Sequence, residues 1–291
     1  MTIVKGTQIS NHLYRLNNFT VPKFTATIPT HRNTIHHTLE LITVWVDDLL
    51  LFASPGGTMA RLTDELNTTF DITDLGEPTK IVGIKISHHT DSLTISQPLY
   101  IDSILRKYKM DNANPVSTPL DLNIKLKPNK DKRESNCSNN YASLIGSLQY
   151  LATVIHPDIA YAINQLAAYT ANPSFKHYGT AKHVLRYMKG TRNYGITYHA
   201  HSERHIGPTD SNSFYGFVDA AFANTDDNQS ISGYVFLFNG GTITWGSKKQ
   251  TTIALSSTKA EYVALSEAAR DAIWLCHLYS EIGYIRSQFC S

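Results

Sequence analysis

Hydrophobic and polar positions along the chain fall into distinct textures. Residues 1–40 are polar, rich in Thr, Asn and His, and follow neither the helical nor the strand period, so no compact fold is assigned to them. From Leu41 the β-branched run "LITVWV" meets Asp47 and Asp48, then resumes as "LLLFA" before "SPGG", which predicts a hairpin. "MARLTDELNTTF" spaces Met59, Leu62, Leu66 and Phe70 along one helical face. "TKIVGIKISHHTDSLTISQ" alternates as a strand pair around His89 to Ser92, and "PLYIDSILRKYKM" is helical again. The predicted order is β, β, α, β, β, α.

A linker follows. "STPLDLNIKLKPNKDKRESNCSNN" carries prolines, asparagines and mixed charge with little to bury, and it sets a boundary at residues 121–140. Beyond it, "YASLIGSLQYLATVIHPDIAYAINQLAAYT" predicts two helices broken at His156-Pro157, and "SFKHYGTAKHVLRYMKGT" a third, stopped at Gly190. After Thr191 the texture returns to strands, "GITYHA", "YGFVDAAFA" and "SGYVFLFNGGTITWGS", then a long helix from about Ser257 to Glu281.

Composition changes this picture little. The 291 residues are 42% hydrophobic, enough for two modest cores. Twenty-six basic against 24 acidic side chains leave +2, so any nucleic-acid signal must be local. Cys137, Cys276 and Cys290 form no C-x-x-C pair, which argues against a disulfide framework and fits a reducing compartment. No signal-peptide core is visible and no apolar stretch approaches the ~18 residues of a membrane span. A soluble, intracellular chain is expected.

The carboxylates carry the candidate chemistry. An Asp-Asp pair between strands is by itself a turn signal. Pressed between apolar runs, however, two unpaired carboxylates repel each other and lose hydration, and a divalent cation would relieve both penalties. Mg²⁺ prefers such oxygens, and two ions roughly 3.5–4 Å apart can clamp the attacking and leaving oxygens of phosphoryl chemistry.

"VWVDDLLLFA" resembles the aspartate-pair motif of the reverse transcriptase palm. "FDITDLGEPTKIVGIKI", "LTISQPLYIDSILRKYKMDNANPVSTPLD", "YASLIGSLQYLATVIHPDIAYAINQLAAY" and "AKHVLRYMKGTRNYGITY" resemble, in order, the blocks that follow it in copia-type retrotransposon polyproteins, over roughly residues 41–291. His156 departs from the family, which has arginine before Pro-Asp. The resemblance implies that Asp47 and Asp48 hold catalytic Mg²⁺ (or Mn²⁺) during DNA synthesis. The family's palm also uses an earlier aspartate, but residues 1–46 contain no Asp and only Glu40 as an acid. "VKGTQISNHLYRLNNFTVP" resembles the segment preceding integrase, which implies an internal deletion.

"YGFVDAAFA" resembles the first strand of the family's ribonuclease H domain, with Asp219 as its catalytic aspartate and Ala221 and Phe222 replacing the usual acid and tryptophan. "ALSSTKAEYVALSEAARDAIWL" resembles its helix, whose glutamate is Glu261 here. Thr258 to Glu261 is equally a T-x-x-E capping box. Glu267 and Asp271 sit about 240° and 280° around the helix from Glu261, so neither converges with it. The family's next aspartate is expected beyond these residues.

Between Ile159 and Ser202 there is no acid, while Lys176, Lys182, Arg186, Lys189 and Arg192 supply five bases, three of them on one helix face. A solvated helix face is the ordinary reading of such a stripe. The resemblance implies contact with the backbone of an RNA/DNA template-primer or hybrid. Adjacent histidines such as His88-His89 point to opposite strand faces, so zinc is not expected.

The expected fold is α/β of the α+β kind. It comprises an irregular segment (1–40), a partial reverse transcriptase palm (41–120), a linker (121–140), a helical thumb or connection region (141–205) and a truncated ribonuclease H-like domain (206–291). The expected function is that of a catalytically incomplete piece of a copia-type polyprotein, with other polyprotein parts as further partners and no membrane. A non-catalytic nucleic-acid-binding remnant or a pseudogene product is the alternative.

Overall fold

A computed structural model describes residues 10–16, 40–53, 59–121, 124, 126–129, 138–200, 214–225 and 227–282. They mix helices with antiparallel sheets and fall into two compact units. One lies within Met1–Leu93, Tyr198–His205 and Ala272–Ser291, the other within Thr94–Thr197 and Ile206–Asp271.

The first unit is built on a four-stranded sheet of order β2-β3-β1-β4, from β1 (Ser10–Leu16), β2 (Glu40–Trp45), β3 (Asp48–Ala53) and β4 (Ile72–Asp74). Strand β3 pairs antiparallel with both β1 and β2, and it is buried from Leu49 to Ala53. Burial on both faces explains why "LLLFA" shows no polar alternation. Helix α1 (Met59–Thr69) lays Leu62 against Leu49 and Leu51, with Met59, Leu66 and Phe70 at the margin, the face that its spacing predicts. Strand β1 lies inside the segment expected to be irregular. Its place comes from backbone pairing with β3 and β4, tertiary partners that local periodicity does not register.

Strands β5 (Lys80–Ile81), β6 (Ile84–His88), β7 (Ser92–Ser96) and β8 (Gly195–His199) form a second sheet in that order. Val82 and Gly83, at φ 48 and 77, make the two-residue β5–β6 turn, a positive-φ pair suited to the right-handed twist. Gly195 tolerates no side chain, because a Cβ there would clash with the Ile95 carbonyl.

The second unit has a helical core. Helices α2 (Pro98–Lys107), α3 (Ser138–Val154), α4 (Ala160–Ala167) and α5 (Phe175–Gly190) bury Ile101, Tyr141, Leu148, Ile163, Val184 and Met188 together. The break between α3 and α4 falls at His156, followed by a 3₁₀ turn over Pro157–Ile159. Helix α5 opens with a reciprocal cap: Ser174 Oγ accepts from the His177 N–H, and His177 Nδ1 accepts from the Ser174 N–H at 2.9 Å.

A three-stranded antiparallel sheet of order β11-β10-β9 completes this unit, from β9 (Tyr215–Ala221), β10 (Ile231–Phe238) and β11 (Gly241–Lys249). Asn239 and Gly240, both at positive φ, close the β10–β11 hairpin. Helix α6 (Ser257–Glu281) begins where periodicity places it. Ser256 Oγ accepts from the Lys259 N–H at 3.2 Å, so the cap belongs to Ser256, and Thr258 and Glu261 form no capping box.

Candidate functional site

Register fixes the first candidate. Trp45 pairs with Asp48 across the β2–β3 hairpin, so Val46 and Asp47 are its two turn residues. Val46 stands at φ 53, a left-handed conformation that a β-branched side chain rarely takes. The tip is open: Trp45 is 54% and Val46 62% exposed, Asp47 is exposed and Asp48 half-buried. The desolvation expected from the flanking apolar runs is therefore absent at Asp47, because those runs are buried along β3 and not at the turn. Two adjacent carboxylates remain, and among the described residues no three His, Cys, Asp or Glu side chains are grouped to hold a metal ion.

Strand alternation decides the second candidate. Asp219 pairs with Gly233, and Gly233 with Ser247, so these three share one face of the β9-β10-β11 sheet with Phe217, Val235 and Trp245. That face meets α3 and α4: Trp245 Nε1 donates to the Ala152 carbonyl at 2.6 Å and Asn164 Nδ2 to the Ser247 carbonyl at 3.0 Å. Helix α6 packs on the other face. There Asp271 Oδ2 accepts from Tyr234 Oη at 2.8 Å and Thr244 Oγ1 at 3.2 Å, and buried Gln250 Nε2 donates to the Ala260 carbonyl. Burial, then the bond to Asp271, pushes the Tyr234 phenol up to about 12. Asp219, on the face toward α3 and α4, and Glu261, on the helix that packs on the other face, are both exposed.

The basic stripe has protein partners. Arg186 Nε donates to the Asn114 carbonyl at 2.6 Å, Lys189 Nζ to the Ala113 carbonyl at 2.9 Å, and His183 Nε2 meets the Thr118 carbonyl at 3.0 Å. Three α5 side chains thus hold the extended strap that follows α2. Arg192 forms an ion pair with Asp102 at 2.7 Å. Lys182 Nζ sits 4.9 Å from the centre of the Tyr178 ring, and Lys176 is exposed. Of the histidine pair, His88 contacts the Pro78 carbonyl at 2.9 Å and the Glu77 carboxylate at 3.3 Å.

Periodicity did not single out a polar network at the α3–α4 break. Asp158 takes the Tyr187 hydroxyl on Oδ2 at 2.7 Å and His156 Nδ1 on Oδ1 at 3.2 Å, with His156 only 2% exposed. Burial alone would raise the Asp158 pKa, but the His156 and Tyr187 hydrogen bonds outweigh it and hold the carboxyl below its usual range. The legible signal was "HPD" itself, a charged residue directly after a helix-breaking proline within an apolar helical stretch.

The model of the family described as Reverse transcriptase (RNA-dependent DNA polymerase) matches residues 7–122. This match takes in β1 and the segment likened above to an integrase flank. The Retrovirus-related Pol polyprotein from transposon TNT 1-94 of Nicotiana tabacum is 35% identical over 257 residues, 86% of this chain and 19% of that protein. That from transposon RE1 of Arabidopsis thaliana is 32% identical over 241 residues, covering 82% of this chain and 16% of its own length. An uncharacterized mitochondrial protein of Arabidopsis thaliana is 33% identical over 232 residues, which are 79% of this chain and 92% of that protein. The chain thus spans less than a fifth of the two polyproteins and most of the mitochondrial protein. No solved structure matches it.

Proposed function

The chain belongs to the reverse transcriptase family of copia-type retrotransposon Pol polyproteins, and from that premise we propose that these 291 residues do not by themselves polymerise or hydrolyse nucleic acid. The β2–β3 hairpin is read as the part of the palm that carries Asp47 and Asp48. The helical segment is read as the connection, and the β9-β10-β11 sheet with α6 as the ribonuclease H-like part.

The donor set supports this reading. Mg²⁺ or Mn²⁺ takes near-octahedral oxygen coordination, and a two-ion centre draws acids from separate strands. The hairpin tip offers two carboxylates from consecutive residues, with no third acid grouped beside them among the described residues. Asp219 lies on the sheet face toward α3 and α4, and Glu261 on the helix that packs on the other face. Neither set fits a two-ion centre.

Primer extension with Mg²⁺ or Mn²⁺ on the purified chain tests the proposal. No synthesis is expected, and Asp47→Asn is expected to match the parent chain. Synthesis that disappears in Asp47→Asn overturns it.

A second reading, a nucleic-acid-binding remnant, rests on the five bases and absent acids between Ile159 and Ser202. In it Lys176 and Lys182 touch the phosphates of a template-primer or hybrid, while Arg186, Lys189 and Arg192 hold the fold. Hybrid binding that weakens with salt, without turnover, supports it.

A further inference from the structure

On the α4 face of the β9-β10-β11 sheet, within the second unit, three aromatic rings from three elements line one cavity of about 370 Å³: Tyr161 of α4, Phe217 of β9 and Trp245 of β11. Phe217 is 54% and Tyr161 41% exposed, an unusual cost for aromatic side chains on a covered sheet face. Each ring has a partner outside the cavity. Trp245 donates to the Ala152 carbonyl, Tyr161 Oη accepts from Asn224 Nδ2 at 3.1 Å, and Phe217 stands edge-on to Tyr215 at 5.9 Å.

Asp219 is the one ionisable carboxylate among the lining residues, and no Lys or Arg lines the cavity. Gly233, opposite Asp219 in the strand register, keeps the floor open: a Cβ there meets nothing nearer than the Asp219 carbonyl at 4.0 Å. Ser247 Oγ, also in the lining, is buried without a hydrogen-bond partner.

We propose that this cavity is a cation cage that accepts a lysine or arginine side chain of a basic peptide segment. Aromatic faces attract a cation through their quadrupoles, and an adjoining carboxylate adds charge complementarity. The same carboxylate repels phosphate, so a nucleotide is the wrong occupant. Trp245, anchored by its bond to the Ala152 carbonyl, loses little freedom on binding, which favours recognition of a small group. The inference goes beyond the polymerase reading and needs neither nucleic acid nor metal.

The test is an NMR titration of the ¹⁵N-labelled full chain, following the Trp245 indole N–H. The probes are the N-acetyl methylamides of arginine, lysine and norleucine, and AMP. Arginine and lysine probes are expected to give saturable shifts, with norleucine and AMP at least tenfold weaker. Phe217→Leu and Asp219→Asn alter exposed positions, so the fold is retained by circular dichroism, and each weakens the arginine probe about tenfold. Equal binding of norleucine reduces the cavity to an apolar groove and overturns the proposal. Saturable binding of AMP, or of no probe at all, overturns it too. Because primer extension is measured separately, failure here leaves the polymerase reading untouched.

Discussion

Tyr187 Oη donates to Asp158 Oδ2 at 2.7 Å, tying α5 to the 3₁₀ turn that separates α3 from α4. Tyr187 is 9% exposed and the Asp158 side chain 31%, so the bond is part-buried. Hydrogen bonds to charged groups contribute about 1.5–3 kcal/mol, and Tyr187→Phe is expected to lose that much in urea unfolding. A loss below about 0.5 kcal/mol would show that water replaces the hydroxyl.

The same carboxyl carries a pH signature. Its pKa in the folded chain lies below the ordinary value, so the stabilisation is fully present above the ordinary carboxylate range. It is lost as pH falls through the lowered value. Asp158→Asn is expected to flatten part of the acid limb of stability against pH. An acid limb identical to the parent's refutes the assignment.

Tyr234 predicts the opposite limb. Its pKa of about 12 exceeds that of a free tyrosine, so the stability it contributes is intact below about pH 10 and falls between there and about 12. Difference absorbance near 295 nm between the parent and Tyr234→Phe should isolate a late-titrating phenol. A missing tyrosine that titrates near 10 contradicts the Asp271 bond.

At the hairpin tip, Val46→Gly is expected to stabilise the chain by about 0.5–1 kcal/mol, because glycine takes φ 53 without the penalty of a β-branched side chain. Val46 is 62% exposed, so little burial is lost. A lower unfolding midpoint would mean that Val46 is held by contacts that outweigh its backbone strain.

On α5, Arg186→Met and Lys189→Met each remove one bond to the strap at Asn114 and Ala113. Each is expected to cost about 0.5–1.5 kcal/mol, and together they should speed amide exchange in residues 111–118. Weakened hybrid binding with unchanged exchange would instead favour the nucleic-acid role of these two side chains.

Much of the architecture was legible because it is carried by local signals. Proline at 157 broke the α3–α4 stretch, and the apolar runs on either side of Asp47 and Asp48 marked the β2–β3 hairpin. Strand β1 was not legible, since its order comes from partners more than thirty residues away in sequence. The candidate acids were found by motif, but their relationship depends on which face each strand position takes once α6 has docked. Period two says that Asp219 and Phe217 share a face; it does not say which face the helix covers. The basic stripe was equally visible and equally ambiguous, because backbone carbonyls of the 113–118 strap leave no charge pattern in a sequence.

Strand β9 ends its sheet: among the described residues only β10 lies beside it. Its outer amides and carbonyls form an unclaimed template, and the strand carries the exposed Phe217. Polypeptide that zips onto this border, whether a second molecule at high concentration or a later stretch of a longer polyprotein, would extend the sheet by one strand. Light scattering that grows with concentration, and that a proline at Val218 suppresses, is the behaviour such a border should produce.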